Sequence, residues 1–217
     1  MTEDKFILIR VTGWRHVYKL TRLKELTLAL TRNFTAEGYA DIAKLNNLTF
    51  LNVNANSNIN DPYLEKIFRM TNLESLSFTD VSASHGQAFS GLVNMTKLQK
   101  LHGMILPDET ALSYLSQVYS LTRLGIRFPG NQSGSIPAQC ISPLTRLKVL
   151  LSGTLSNTNV LSSLVNLEEL NSSEQSLNAE FPFEVMKNLT GIIVRDMDSK
   201  ALQKLTNLAN FKSLSVR

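Results

Sequence analysis

Apolar residues recur along this chain in one short pattern, first complete at Leu20-Thr21-Arg22-Leu23-Lys24-Glu25-Leu26-Thr27-Leu28. Its first four residues return as Leu45-Asn46-Asn47-Leu48, Met70-Thr71-Asn72-Leu73, Met95-Thr96-Lys97-Leu98 and Leu121-Thr122-Arg123-Leu124. Further returns are Leu144-Thr145-Arg146-Leu147, Leu164-Val165-Asn166-Leu167, Met186-Lys187-Asn188-Leu189 and Leu205-Thr206-Asn207-Leu208. These nine copies begin 25, 25, 25, 26, 23, 20, 22 and 19 residues apart, a period that belongs to stacked repeats rather than to separate domains. Most continue as Leu-x-x-Leu-x-apolar, as in Leu48-x-x-Leu51-x-Val53, Leu73-x-x-Leu76-x-Phe78 and Leu189-x-x-Ile192-x-Val194. Successive strand side chains point to opposite faces, so this spacing predicts a short strand with its apolar residues turned to a core.

The segments between strands must bring the chain back. Asp61-Pro62-Tyr63-Leu64-Glu65-Lys66-Ile67-Phe68 reads as a helix with an Asp cap, an early Pro and an apolar face of Leu64, Ile67 and Phe68. Asp108 to Val118 is a clearer amphipathic helix, and the returns around Ile42 and Phe89 are weaker versions. The returns shorten in the C-terminal half and leave less room for a helix there.

Taken together these copies resemble the leucine-rich repeat family, and the resemblance covers residues 20–217. It implies an α/β solenoid, a curved horseshoe or arc, with a parallel sheet on its concave face and short helices and irregular segments on its convex face. The curvature has a simple origin: a strand takes about 4.8 Å across a sheet and a helix about 10 Å. Residues 1–19 form a flanking unit, either an N-terminal strand and cap or a degenerate repeat, with Phe6 to Val11 as strand and Thr12-Gly13 as turn. Gly130 to Pro137, ending Ser133-Gly134-Ser135-Ile136-Pro137, is similar to the plant-type repeat, and Glu180-Phe181-Pro182 to part of it. The array therefore mixes repeat classes. The family's Asn ladder after each strand is mostly missing, with Thr31, Asn56, Val81, Leu106 and Asn131 in its place.

Composition narrows the function. Residues 1–24 hold six Lys or Arg against two acidic residues, which accounts for the whole net charge of +4 and leaves 16 basic and 16 acidic residues balanced in the array. A neutral array argues against wrapping nucleic acid. Trp14 and Tyr18 beside the basic N-terminal cluster are read as shielding the first repeat's open end. No apolar run approaches the roughly 20 residues of a membrane helix. The N-terminus lacks a secretory layout, so a cytoplasmic location is expected, or secretion if a leader has been removed. The single Cys140 rules out a disulfide within the chain. The last copy has no polar cap behind it, from which the chain is expected to be part of a larger polypeptide or assembly.

Catalytic chemistry finds no foothold. His16, His85 and His102 lie in separate copies without metal-ligand spacing, no phosphate-binding glycine loop is present, and Asp196-Met197-Asp198 reads as a turn and helix cap. Neither a metal nor a cofactor is expected. Six Asn-x-Ser/Thr triplets are near chance for this composition. The outward positions of the strands remain. One column is expected to run Thr27, Asn52, Ser77, His102, Arg127, Leu151, Asn171, Ile193 and Lys212, with Glu25, Phe50, Ser75, Lys100, Gly125, Val149, Glu169, Gly191 and Asn210 beside it. From this concave face Phe50, Asn52, Ser77, Lys100, His102, Met104, Arg127, Arg195 and Lys212 are the expected partner-binding residues, a mixture of types that interfaces favour. The chain is thus expected to be a non-enzymatic module that binds a protein partner. The alternative is a secreted or surface-associated microbial adhesin or effector with a leucine-rich repeat recognition domain.

Overall fold

A computed structural model of the protein describes residues 8–9, 14–30, 36–55, 61–128 and 135–217. They fall into two compact units, within residues 1–118 and 119–217. In the first, β1 (Leu8–Ile9), β2 (Glu25–Leu30), β3 (Phe50–Ala55), β4 (Ser75–Ser82) and β5 (Lys100–Ile105) pair in parallel and in chain order. Its returns are α1 (Ala36–Ile42), α2 (Asp61–Ile67), a 3-10 segment Gly86–Asn94 and α3 (Glu109–Leu115). The second unit pairs β6 (Arg123–Arg127), β8 (Val149–Ser152), β10 (Glu169–Leu177), β11 (Gly191–Met197) and β12 (Ser213–Val216) in parallel. A small second sheet joins β7 (Ile136–Pro137) to β9 (Leu155–Ser156). The C-terminal returns are mostly 3-10 turns, Ala138–Cys140, Thr158–Ser163 and Phe183–Val185, as their shortness predicts, but the last carries a true helix, α4 (Ser199–Leu205). Among the described residues no helix is long and apolar enough to cross a membrane.

The repeat is fixed by backbone bonds that recur at seven rungs among the described residues. The carbonyl just ahead of each strand accepts two N–H groups from the next rung: Lys24 O from Thr49 N at 2.8 Å and Phe50 N at 3.0 Å, and Thr190 O from Lys212 N at 2.8 Å and Ser213 N at 3.0 Å. Side-chain amides reinforce it. Asn47, Asn72, Asn166, Asn188 and Asn210 each donate Nδ2 to a backbone carbonyl of the preceding rung, at 2.7 to 3.1 Å. An Asn ladder therefore exists, but ahead of the strands rather than behind them. Val81, within β4, and Leu106, in the turn after β5, are simply buried; Thr31, Asn56 and Asn131 lie outside the described residues. Asn47 and Asn188 are exposed, with their amides engaged in this ladder.

This ladder corrects two repeat boundaries. Asn210 occupies the rung position of Asn188, so the last copy begins at Leu208, not Leu205, and continues Phe211-x-x-Leu214-x-Val216. Likewise Leu124 and Ile126 pair with Leu150 and Ser152, which makes Val118-Tyr119-Ser120-Leu121 the true start of the fifth copy. Val118 is 3% exposed, and its N–H bonds to Leu115 O just as Leu144 bonds to Ile141 and Leu208 to Leu205. The pattern at Leu121-Thr122-Arg123-Leu124 is a second occurrence of the same spacing, three residues downstream.

Aspartates hold the turns from strand into helix. Asp108 caps α3, its Oδ1 accepting from Ala111 N at 3.0 Å, while Oδ2 reaches the previous return and accepts from Gly86 N at 2.8 Å. Asp198 caps α4 through Ala201 N at 2.7 Å, the role its sequence context predicts. Asp61 Oδ1 accepts from Ser84 N at 2.7 Å, again crossing between returns. Polar residues also enter the second unit's core: Ser152 and Ser172 take strand positions that Leu28, Val53 and Val194 fill elsewhere. Ser172 Oγ donates to Gly153 O at 2.7 Å, and the buried Gln175 Oε1 accepts from Leu155 N at 2.6 Å, supporting β9.

Partial burial pushes the Asp108 carboxyl up, but the N–H groups of Ala111, Gly86 and Thr110 and the nearby His85 outweigh it and hold the carboxyl below its usual value. A carboxyl lowered on folding stabilises the fold above the ordinary carboxylate range and loses that contribution as pH falls through the lowered value. Asp108→Ala is therefore expected to cost about 1–2 kcal/mol at neutral pH. In urea titrations at successive pH values that difference should shrink under acid conditions; a constant difference would show that the carboxylate charge plays no part. Gly103 has φ +74°, and a Cβ built on it would stand 1.7 Å from Phe78 O. Gly103→Ala is expected to lower stability by more than about 1 kcal/mol, read from the urea midpoint.

Candidate functional site

Each strand's core residues leave the alternate side chains on the opposite, open face of the sheet. In the first unit the pairing places Glu25, Phe50, Ser75 and Lys100 in one row and Thr27, Asn52, Ser77 and His102 in the next. Phe50, Asn52, Ser77 and His102 are half-buried and Lys100 is exposed. Five of the expected binding residues thus adjoin across three neighbouring strands, each about 4.8 Å from the next.

Met104 does not join them. Two residues beyond His102 it should face outward, yet it is 1% exposed and belongs to the core. The register slips here: Ser77 pairs with His102 but Val81 with Met104, so β4 carries extra residues against a single Gly103. Gly103 in the left-handed region turns the chain so that Met104 enters the core beside Val81, its partner on β4. The signal was visible in the sequence, since Gly103 stands where Leu28, Val53 and Phe78 stand in the first copies.

In the second unit the rows are Arg123, Val149, Glu169, Gly191 and Ser213, then Gly125, Leu151, Asn171, Ile193 and Ser215. Arg127 is exposed but stands two residues beyond Gly125, which holds the central position expected of it. Lys212 is exposed and precedes β12, beside Thr190 and not beside Ile193, because of the shifted last copy. Arg195 is exposed and its Nη2 donates to Ser176 Oγ at 2.8 Å. Sequence reasoning passed over Arg123, which leads its row once the fifth copy starts at Val118. One rung on, Lys148 Nζ meets Glu168 Oε1 at 2.7 Å, an ion pair between adjacent pre-strand positions.

The return side offers a cleft of about 500 Å³ between α2 and Gly86–Asn94, lined by Phe68, Arg69, Gln87 and Gly91 among others. Among the described residues no group of three or more His, Cys, Asp or Glu is placed to hold a metal ion. Cys140 is half-buried.

No protein-family model matches the chain, and no curated protein does. Solved structures do. A leucine-rich repeat protein of Leptospira interrogans superposes with a TM-score of 0.60 at 20% identity, over 92% of this chain and 50% of that one. The mouse RP105/MD-1 complex gives 0.56 at 20% identity, over 88% and 38%. A TLR13 complex with single-stranded RNA gives 0.55 at 18% identity, over 99% and 38%. With the parallel sheets, the returns of short helix or 3-10 turn, and the recurring rung bonds, these likenesses identify the chain, in fold, as a leucine-rich repeat protein.

Proposed function

We propose that the chain is a non-enzymatic recognition module whose protein partner seats on the open face of the first unit's sheet, around Phe50. The observation that carries this reading is the half-buried Phe50 standing on the solvent side between Glu25 and Ser75, with Asn52 and Ser77 in the next row and Lys100 and His102 one strand further on. An aromatic anchor ringed by polar and cationic groups is the arrangement in which a few residues dominate binding.

The fold itself accommodates more than one kind of ligand, as the structural neighbours solved with MD-1 and with RNA illustrate. Charge favours protein here. Glu25 shares the row of Lys100, and beyond residue 24 acidic and basic residues balance, whereas a nucleic-acid surface needs a continuous excess of cations.

A photo-crosslinker at Ser77 is expected to capture a discrete protein that the same group at Lys66 on α2 does not. Once that protein is purified, Phe50→Ala should weaken its binding about tenfold or more while leaving the fold intact. Equal capture from both positions, or unchanged affinity in the variant, would remove the open face from the proposal.

A further inference from the structure

The cleft between α2 and Gly86–Asn94 carries polar groups that the fold leaves unengaged. Its two returns meet where Gly91 faces Phe68: a Cβ built on Gly91 would stand 2.7 Å from the Phe68 Cβ. Phe68 is fully buried, its ring 5.7 Å from that of Phe89, and closes the cleft toward the core. The open space is about 500 Å³, within the range of small-molecule sites.

One wall bears opposite charges. Glu65 and Arg69 stand four residues apart, the spacing at which such a pair normally meets on a helix. Here α2 ends at Ile67 and Arg69 N bonds to Lys66 O in a tighter turn, so Arg69 leaves the line of Glu65. Both are exposed, and neither side chain makes an ion pair or hydrogen bond among the described residues. The other wall is neutral. Gln87 and Ser90 are three residues apart in a 3-10 segment, where such side chains stand in line, and Asn94 ends the segment. Tyr114 Oη donates to Gln87 Oε1 at 3.0 Å, which leaves the Gln87 amide N–H groups available, and the Ser90 and Asn94 side chains are unengaged among the described residues.

These groups select a ligand by exclusion. An anion alone would be repelled by Glu65 and a cation alone by Arg69, while an uncharged polyol would satisfy neither. Four residues of helix span about 6 Å. A free amino acid separates its two charges by only one residue, about 3.5 Å, whereas two extended residues span about 7 Å and carry one amide between their ends. We propose that the cleft binds a dipeptide with free termini, its ammonium on Glu65, its carboxylate on Arg69 and its amide against Gln87, Ser90 and Asn94. Arginine suits this role because it holds a carboxylate through two parallel N–H bonds. The site lies among the returns and does not depend on the reading given for the open face around Phe50.

The probe is Ala-Ala. Titrated into the full chain and followed by isothermal calorimetry, it should bind saturably. Acetylating its amine or amidating its carboxylate should each weaken binding tenfold or more. Glu65→Gln should weaken Ala-Ala by a similar factor yet leave the affinity of the acetylated peptide unchanged, since that peptide has no ammonium to lose. Arg69→Gln should do the same with respect to the amidated peptide. Both substitutions are at exposed positions and should move the melting temperature little; the comparison among peptides on the unaltered chain tests the site without them. No saturation by about 10 mM Ala-Ala, or equal binding of free and blocked peptides, would overturn the proposal. So would equal or tighter binding of acetyl-Ala-Lys-Ser-Glu-Ala-amide, because the cleft would then belong to a segment of a protein chain.

Discussion

At seven rungs among the described residues one backbone carbonyl, placed just ahead of the strand, receives two N–H groups from the rung that follows. Everything else in the array is spaced by that constraint. It sets the strands side by side in register, which brings the Leu-x-x-Leu-x-apolar residues into stacked files, and those files are the core. The Asn amides repeat the same connection at the sequence position where Leu-x-Asn-Leu recurs. Returns of different length and helical type are tolerated because they need only deliver the chain to the same carbonyl. This explains how 3-10 turns and α-helices alternate in one array without disturbing the sheet.

The open face inherits its composition from the same arrangement. Side chains that alternate with core residues have no packing role and are held at fixed positions by strands that do. Phe50 is held in this way by Leu51 and Val53, which are fully buried on either side of Asn52. A surface so displayed is rigid before any partner arrives, and little order has to be gained on binding. That property, more than any single contact, suits the fold to recognition.

The period, the core leucines, the helix that follows Asp108 and the cap at Asp198 were legible in the sequence because each depends on local spacing. What was not legible depended on choosing between equivalent spacings. Leu121-Thr122-Arg123-Leu124 and Val118-Tyr119-Ser120-Leu121 both fit the apolar rhythm, and only strand pairing separates them. The same ambiguity displaced Lys212 by a few residues. Met104 was misplaced for another reason: strict alternation fails at a left-handed glycine, and Gly103 marked that failure at a position otherwise held by an apolar residue. The Asn ladder was sought behind the strands, where the family usually has it, while the residues that form it stood ahead of them in the repeating unit itself.

Because the rungs within each unit are bonded to their immediate neighbours, each unit has a definite response to mechanical tension. Pulling on its two ends would load the carbonyl and amide connections in series, and rungs would detach one at a time from an edge inward. Each detachment would release 20 to 26 residues of chain, a gain of roughly 70–90 Å when extended. The protein would lengthen under load in steps of repeat size, and the surviving rungs would keep their side-chain display.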